Sequence, residues 1–218
     1  MGAAAERGLT ALTGMTPPGT FERVYAAIKQ RLREGLYRPG DRLEPAVLSD
    51  ELNASVTPVR DALHRLTGER LVEAPRHEGF RAPMLTETIL RHLYAWHLDL
   101  LLLAVMKHRL ATADARDGVI EQDETGRSLL ERQNALFVSI ARSAANPEHV
   151  LALQALAERL EPIQRMERLV LEGLEAETAV IVEALQARNQ NALRRALVHY
   201  HRRRERAVPA LLAILHEK

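Results

Sequence analysis

The chain has 218 residues, of which 46% are hydrophobic and only 4% aromatic, a balance that supports a sizeable core and favours helices. It contains no cysteine, which excludes disulfides and cysteine-ligated zinc and fits a reducing cytoplasm. The formal net charge is +1, so the chain as a whole carries no basic signal for nucleic acid, and DNA binding would need a local patch.

The first predicted element is a helix that follows a disordered leader. Residues 1–19 are rich in Gly, Ala, Thr and Pro, as expected of a segment without fixed structure. Thr20 can cap a helix over Phe21–Glu34, and Gly35 supplies its stop. The inward stripe of this helix is Val24, Ile28 and Leu32.

Residues 45–67 predict two short helices joined by a tight turn. The first runs over Pro45–Leu52, and proline suits its first position because that N–H would be unpaired anyway. Its apolar face carries Val47, Leu48 and Leu52. The second helix starts near Ser55–Pro58, capped by Ser55 or Thr57. Its buried stripe is Val59, Leu63 and Leu66. A short helix, a turn and a longer helix with a polar start are typical of a helix-turn-helix.

A β-hairpin wing is predicted after the second helix. Gly68–Pro75 leaves the helix and becomes a strand, residues 76–79 turn, and Phe80–Pro83 returns. Upstream, Leu36–Leu43 is a strand-like connection with a Pro-Gly turn. Residues 20–84 therefore predict a winged helix-turn-helix DNA-binding domain.

Residues 85–218 predict an all-helical bundle of roughly six helices, which makes the fold class mainly α. The polar stretch 112–125 is expected to be a loop or short helix, and Pro162 to kink its helix. The predicted helices are Leu85–Ala111 capped by Thr86, Gly126–Ala144, Pro147 to about Leu171, Glu175–Arg188 and Asn191–Leu215. The apolar face of the first of them carries Leu90, Leu93, His97, Leu101, Ala104 and Met106. Its apolar run, Leu98–Met106, contains Asp99 and is too short for a membrane span.

The motifs of the first domain resemble those of the GntR family of bacterial transcription regulators. They are Gly35-Leu-Tyr-Arg-Pro-Gly-Asp-Arg-Leu-Glu44, Ser55-Val-Thr-Pro-Val-Arg-Asp-Ala-Leu-His-Arg-Leu66, and Leu71-Val72 with Pro75 and Gly79. The helical half resembles the effector-binding FCD domain of the FadR subfamily, with a tail motif at Ile181, Ala184, Leu185, Ala192 and Ala196.

The resemblance implies a cytoplasmic homodimer that binds an inverted-repeat operator and is released or retuned by a metabolite, as a repressor. It implies no membrane association. Residues 85–218 would then bind the effector and form the dimer. The residues expected at the DNA are Ser55, Val56, Thr57, Arg60, His64, His77 and Gly79. An alternative for Arg60 is that it only caps the local carboxylates Asp61 or Glu51.

Three positions depart from the family pattern of cationic contacts. Val56 and Ala46 stand where arginine is common, and Glu78 stands where the wing carries arginine. We therefore expect an unusual operator or a weak affinity with a shallow salt dependence. Val56 could still read a thymine methyl group. An alternative function is a binding module with degraded operator specificity that acts through protein partners.

Most domains of this helical type bind a divalent metal through one aspartate and three histidines. Counting from Asn146-Pro147 and from the tail motif, those positions hold Gln133, Phe137, Thr178 and Tyr200. Phenylalanine cannot coordinate a metal, and neutral amide and hydroxyl oxygens are weak donors. We therefore expect no metal and no other cofactor. The register could slip by one residue, because His199 and His201 flank Tyr200.

Without a metal, the expected effector is neutral or amphipathic. Its pocket would be lined by Trp96, His97, Gln133, Phe137, Thr178 and Tyr200. The alternative is that the pocket has closed and these residues are core. An arginine run at 202–206 is expected to be a solvated helix face. No nucleophile elbow, phosphate loop or cysteine nucleophile occurs, so we predict that the protein is not an enzyme.

Overall fold

A computed structural model describes residues 19–107 and 128–217 of the chain. The predicted leader, apart from Gly19, and the predicted polar loop at 112–125 lie outside the described residues. The described part forms an N-terminal unit, here called the head (residues 19–84), and a helical unit, here called the body (residues 85–107 and 128–217).

Helix α1 (Thr20–Arg33) opens the head. The helix already includes Thr20, and its N-cap is Gly19, so the prediction that Thr20 caps it was wrong. The predicted stop is confirmed. Gly35 has φ +71°, and the amide N–H of Leu36 donates to the carbonyl of Arg31 at 3.1 Å. A left-handed residue after the last turn closes a helix in this way, and glycine adopts that φ without strain.

Helices α2 (Pro45–Glu51) and α3 (Val56–Gly68) form the predicted helix-turn-helix. The predicted stripe of α3 is confirmed, because Val59, Leu63 and Leu66 are fully buried against α1. Ser55 occupies the N-cap position of α3, but its hydroxyl makes no capping bond. Val47 was wrongly placed on the buried face of α2, since its side chain is 51% exposed.

The wing is held by single antiparallel bridges. Glu73 and Arg81 exchange two backbone hydrogen bonds of 2.9 Å, and Arg42 also bridges Arg81. Within the head the structure shows no continuous strand, so the predicted hairpin of regular strands is not confirmed. Pro75 ends the outgoing segment and Pro83 ends the returning one. Because proline lacks the N–H that a strand ladder needs, regular pairing stops at these positions.

The body is built around α4 (Glu87–Lys107), which packs against α5 (Leu129–Arg142), α6 (Pro147–Gln164) and α8 (Gln190–Glu217). A 3₁₀ turn (Glu167–Leu169) and α7 (Leu174–Gln186) lie between α6 and α8. Helix α6 ends two residues after Pro162, earlier than the predicted Leu171. The described body thus holds five α-helices, and the expected count of roughly six also covered residues 108–127, which lie outside the described residues.

The ends of these helices follow local capping chemistry. The Thr86 hydroxyl accepts from the amide of Ile89 at 3.2 Å, as predicted. Ser128 and Glu131 form a reciprocal capping box at the start of α5. By length and hydropathy alone α4 could cross a membrane, but its packing against three helices makes it a core helix. Met106 was wrongly assigned to its buried face, because it is 74% exposed.

Head and body meet where α1 packs on α6. The buried carboxylate of Glu161 accepts from Arg33 Nε and from Arg165 Nη2, each at 2.6 Å. Lys29 of α1 pairs with Glu158 of α6 at 2.8 Å. The contact is therefore mainly ionic, with carboxylates of the body holding cations of the head.

Candidate functional site

The exposed face of α3 presents most of the residues predicted to contact DNA. Ser55, Thr57, Arg60 and His64 are exposed, and Val56 is half-buried. Glu51 pairs with Arg31, and within the described residues Arg60 makes no ion pair. The alternative role of Arg60 as a cap for local carboxylates is therefore not supported, and its five N–H donors remain open to a partner.

The wing lies beside this face. The imidazole of His64 packs edge-on against the Phe80 ring at 4.9 Å, which ties α3 to the returning segment of the wing. His77 and Gly79 are exposed at the wing tip, with φ of +64° and +79°. Glu78, the predicted charge reversal, lies 3.4 Å from Arg81 Nη1, so part of its negative charge is compensated.

The residues predicted to line the effector pocket meet in the core of the body, with one exception. Gln133 Nε2 donates to Thr178 Oγ1 at 2.8 Å. One turn further along α5, the Phe137 ring lies 5.1 Å from both the His97 and Tyr200 rings. All five side chains are buried, as one hydrogen-bonded pair and one set of contacting rings, and we call them with His201 the core cluster. Trp96 does not belong to it, because its side chain is 49% exposed.

His201 is the member of the core cluster that the predicted register missed. Its Nδ1 lies 2.7 Å from the Leu197 carbonyl oxygen, so Nδ1 carries the proton. Its Nε2 lies 2.8 Å from His97 Nδ1 and must accept from it, which leaves His97 Nε2 unprotonated. This arrangement of protons is that of two neutral rings.

The surroundings of the two histidines favour the same neutral state. Burial and the nearby Arg204 guanidinium lower the pKa of His97 to about 3. Burial, with the neighbouring His97 ring, holds the pKa of His201 well below its usual range. A positive charge is disfavoured on either ring because burial removes its water and the nearby Arg204 guanidinium repels it.

Arg204 corrects the expectation that residues 202–206 are a solvated face. Its side chain is 0% exposed and lies over the Tyr200 ring. Its guanidinium pairs with Glu167 at 2.8 Å and with Glu177 at 2.7 Å, and Tyr94 donates to the same Glu167 carboxylate at 3.0 Å. A sequence signal existed, because residue 204 continues the inward spacing of Leu197, Tyr200 and His201 along α8.

Two polar atoms of the core cluster have no hydrogen-bond partner in the described part of the chain. They are His97 Nε2 and Tyr200 Oη. A buried polar atom without a partner costs about 1–3 kcal/mol. A ligand with a donor and an acceptor group would remove that cost at both atoms. Within residues 19–107 and 128–217, no three His, Asp or Glu side chains converge as a metal site.

Comparison with known proteins identifies the head. Residues 20–81 match the model of the family described as bacterial regulatory proteins, gntR family. The Nta operon transcriptional regulator of Aminobacter aminovorans is 31% identical over 136 residues, which are 57% of this chain and 63% of that protein. The chain thus matches less than two thirds of that curated relative's length.

Two solved structures show the same fold across both units. A GntR-type transcriptional regulator from Rhodococcus sp. RHA1 superposes with a TM-score of 0.70 at 19% identity, covering 88% of this chain and 99% of that one. McbR/YncC of E. coli superposes with a TM-score of 0.60 at 21% identity, covering 92% and 99%. At these identities the likeness is one of fold.

Proposed function

Because residues 20–81 form a helix-turn-helix domain of the GntR family, we propose that this protein is a ligand-responsive transcription regulator of the FadR type. It acts in the cytoplasm as a homodimer on an inverted-repeat operator, and it represses until a metabolite binds the FCD-type body. Proteins of this family are regulators and typically not enzymes. The observation that carries the proposal is the exposed Arg60, free of ion pairs in the described residues, on the outer face of α3.

The DNA-binding step follows from the chemistry of that face. An unpaired guanidinium on a recognition helix can donate two hydrogen bonds to guanine O6 and N7, which discriminates by about 1–3 kcal/mol. The Ser55 and Thr57 hydroxyls at the start of α3 suit phosphate or base edges. The half-buried Val56 would offer an apolar contact to a thymine methyl group. His77 and Gly79 at the wing tip would follow the adjacent groove.

Replacing Arg60 with glutamine tests this role. Operator duplexes are first selected from random DNA with the full-length protein, and affinities are then measured by fluorescence anisotropy at one fixed salt concentration. We expect Arg60→Gln to weaken operator binding about 5- to 150-fold, from the discrimination energy of a bidentate contact. Binding to a scrambled duplex should fall much less.

Arg65→Gln is the matched control on the same helix. Arg65 lies over the Tyr25 ring at 4.2 Å and pairs with Glu69 at 3.3 Å, so its loss should change operator affinity less than threefold. Failure to select any specific duplex would contradict operator recognition. It would favour instead the alternative of a module that acts through protein partners.

The homodimer is supported by the outer face of α4. Ile89, Trp96 and Leu103 recur every seven residues and are all exposed, which gives an apolar stripe with the spacing of a helix–helix seam. We expect Leu103→Arg to shift the protein towards monomers in sedimentation velocity. Leu151→Arg, at an exposed leucine of α6, should leave the dimer intact. Equal behaviour of the two variants would contradict this interface.

The effector site is supported by the core cluster. His97 Nε2 and Tyr200 Oη offer unused hydrogen-bonding capacity between apolar rings, and both histidines are neutral. An uncharged or amphipathic metabolite would satisfy these atoms, and because the cluster is buried and its rings are in contact, the rings would have to separate to admit it. For the effector to change DNA affinity, it must bind the free and DNA-bound conformations with different affinities.

A further inference from the structure

An open cavity of about 580 Å³ lies between the head and the body. This volume falls in the range of small-molecule sites. The head contributes Leu32 and Val72 to its wall, and the body contributes Ile89, Leu93 and Leu215. The core cluster is elsewhere, so this cavity is separate from the effector site proposed above.

Two arginines from opposite sides line the same cavity. Arg70 follows α3 by two residues, with φ +61°, and Arg159 lies on α6. Burial and the nearby Arg70 guanidinium lower the pKa of Arg159. The two positive charges therefore repel each other. Two like charges held close together are unfavourable unless an anion compensates them.

The carboxylates at the cavity are already engaged. Glu158 pairs with Lys29 at 2.8 Å, and Glu73 pairs with Arg81 at 2.9 Å. Within the described residues neither Arg70 nor Arg159 makes an ion pair. The cavity therefore combines an apolar wall with two cations that lack a counter-charge.

We propose that this cavity binds an amphipathic anion, a carboxylate whose apolar chain or ring lies against the leucine and isoleucine wall. The carboxylate bridges Arg70 and Arg159, and guanidinium groups match it in geometry and charge. The anion thereby connects the head to the body next to the end of the recognition helix. Control of operator binding by such an anion rests on the proposed regulatory function, whereas the binding itself does not.

Calorimetric titration of the full-length protein with octanoate, and separately with octan-1-ol, tests the site without DNA. We expect saturable binding of one octanoate per chain and at least tenfold weaker binding of the alcohol, which has the same chain length but no charge. Arg70→Gln and Arg159→Met should each weaken octanoate binding at least tenfold. Both should leave the weak binding of octan-1-ol within twofold, because the apolar wall is unchanged.

Arg188→Gln is the matched control, since Arg188 is also exposed with positive φ (+51°) but does not line this cavity. It should bind octanoate like the wild type. The proposal is overturned if octanoate does not bind, if octan-1-ol binds equally well, or if the two cavity variants bind octanoate like the control. DNA affinity is measured separately by anisotropy, so a failure of operator recognition leaves the calorimetric result standing.

Discussion

Neighbouring arginines of α8 have opposite environments. Arg202 and Arg206 are exposed, whereas Arg204 is fully buried between Glu167, Glu177 and the Tyr200 ring. A buried guanidinium is tolerated only when carboxylates and hydrogen bonds replace its water shell. The partners come from the 3₁₀ turn and from α7, so this ion network joins three segments of the body directly behind the core cluster.

The two buried histidines predict an acid-sensitive fold. The unfolded chain takes up protons on histidine near pH 6.5, whereas folded His97 does so only near pH 3, and His201 is also shifted downward. Between those values the unfolded state binds more protons, so stability is fully present above pH 6.5 and falls as the pH decreases. For His97 we expect a loss of about 1 kcal/mol between pH 6.5 and 5.5, and the downward shift of His201 adds to this loss.

Urea unfolding at pH 7.5, 6.5 and 5.5 measures this loss. His201→Gln should reduce the loss, although the variant is less stable at every pH. His199→Gln, two residues away on the exposed side of α8, should retain the whole loss. A wild-type stability that does not change over this range would contradict the neutral, buried state of the pair.

Replacing glycine should have opposite effects in the recognition helix and in the wing. Gly68 is the last residue of α3 and Gly79 lies in the wing tip with φ +79°; a Cβ at either position would meet nothing within 4 Å. Alanine at 68 should therefore stabilise the head by about 0.5–1 kcal/mol through helix propensity. Alanine at 79 should destabilise it by about 1–2 kcal/mol through the left-handed backbone.

Thermal unfolding of the two alanine variants separates these effects. Because neither substitution creates a clash, the difference in sign comes from the backbone alone. We expect the midpoint to rise for Gly68→Ala and to fall for Gly79→Ala. Shifts in the same direction would show that the wing tip does not hold its left-handed conformation in solution.

The helices could be predicted from the sequence because their signals are local. Apolar spacing and caps such as Thr86 act within one or two turns, and most observed ends lie close to the predicted ones, the end of α6 near Pro162 being the exception. The wing depends on Arg81 pairing with both Glu73 and Arg42, which are distant in sequence from each other. A prediction made segment by segment has no access to such pairings.

In the candidate site, too, some residues could be predicted from the sequence and others could not. The motif register placed Gln133, Phe137, Thr178 and Tyr200 in one site, and in the structure Gln133 contacts Thr178 and Phe137 contacts Tyr200; their role in binding an effector stays a prediction. Trp96 was misplaced because α4 is apolar on nearly all sides, so periodicity could not select its buried face. Arg204 was missed because the carboxylates that compensate its burial lie on other segments.

For the whole molecule, the ionic contact between head and body determines whether DNA binding and ligand binding can influence each other. Coupling requires that the two units move between defined relative positions. Glu161 is the centre of this contact, since its buried carboxylate holds Arg33 of the head and Arg165 of the body. The proposed anion cavity, lined by Pro162 and Arg159, begins beside it.

Glu161→Gln should loosen the head from the body while leaving each unit folded. The amide removes the negative charge that two arginines share, and because both arginines are partly exposed, we expect a cost of only about 1–2 kcal/mol. Scanning calorimetry should then show the single unfolding transition broaden or split, and small-angle scattering should show a larger radius of gyration. Glu183→Gln, at an exposed glutamate of α7, is the control and should change neither. If Glu161→Gln unfolds as one sharp transition at the wild-type midpoint, the Glu161 carboxylate does not couple the two units, and the coupling must run through other contacts, such as the Lys29–Glu158 pair or residues 83–86.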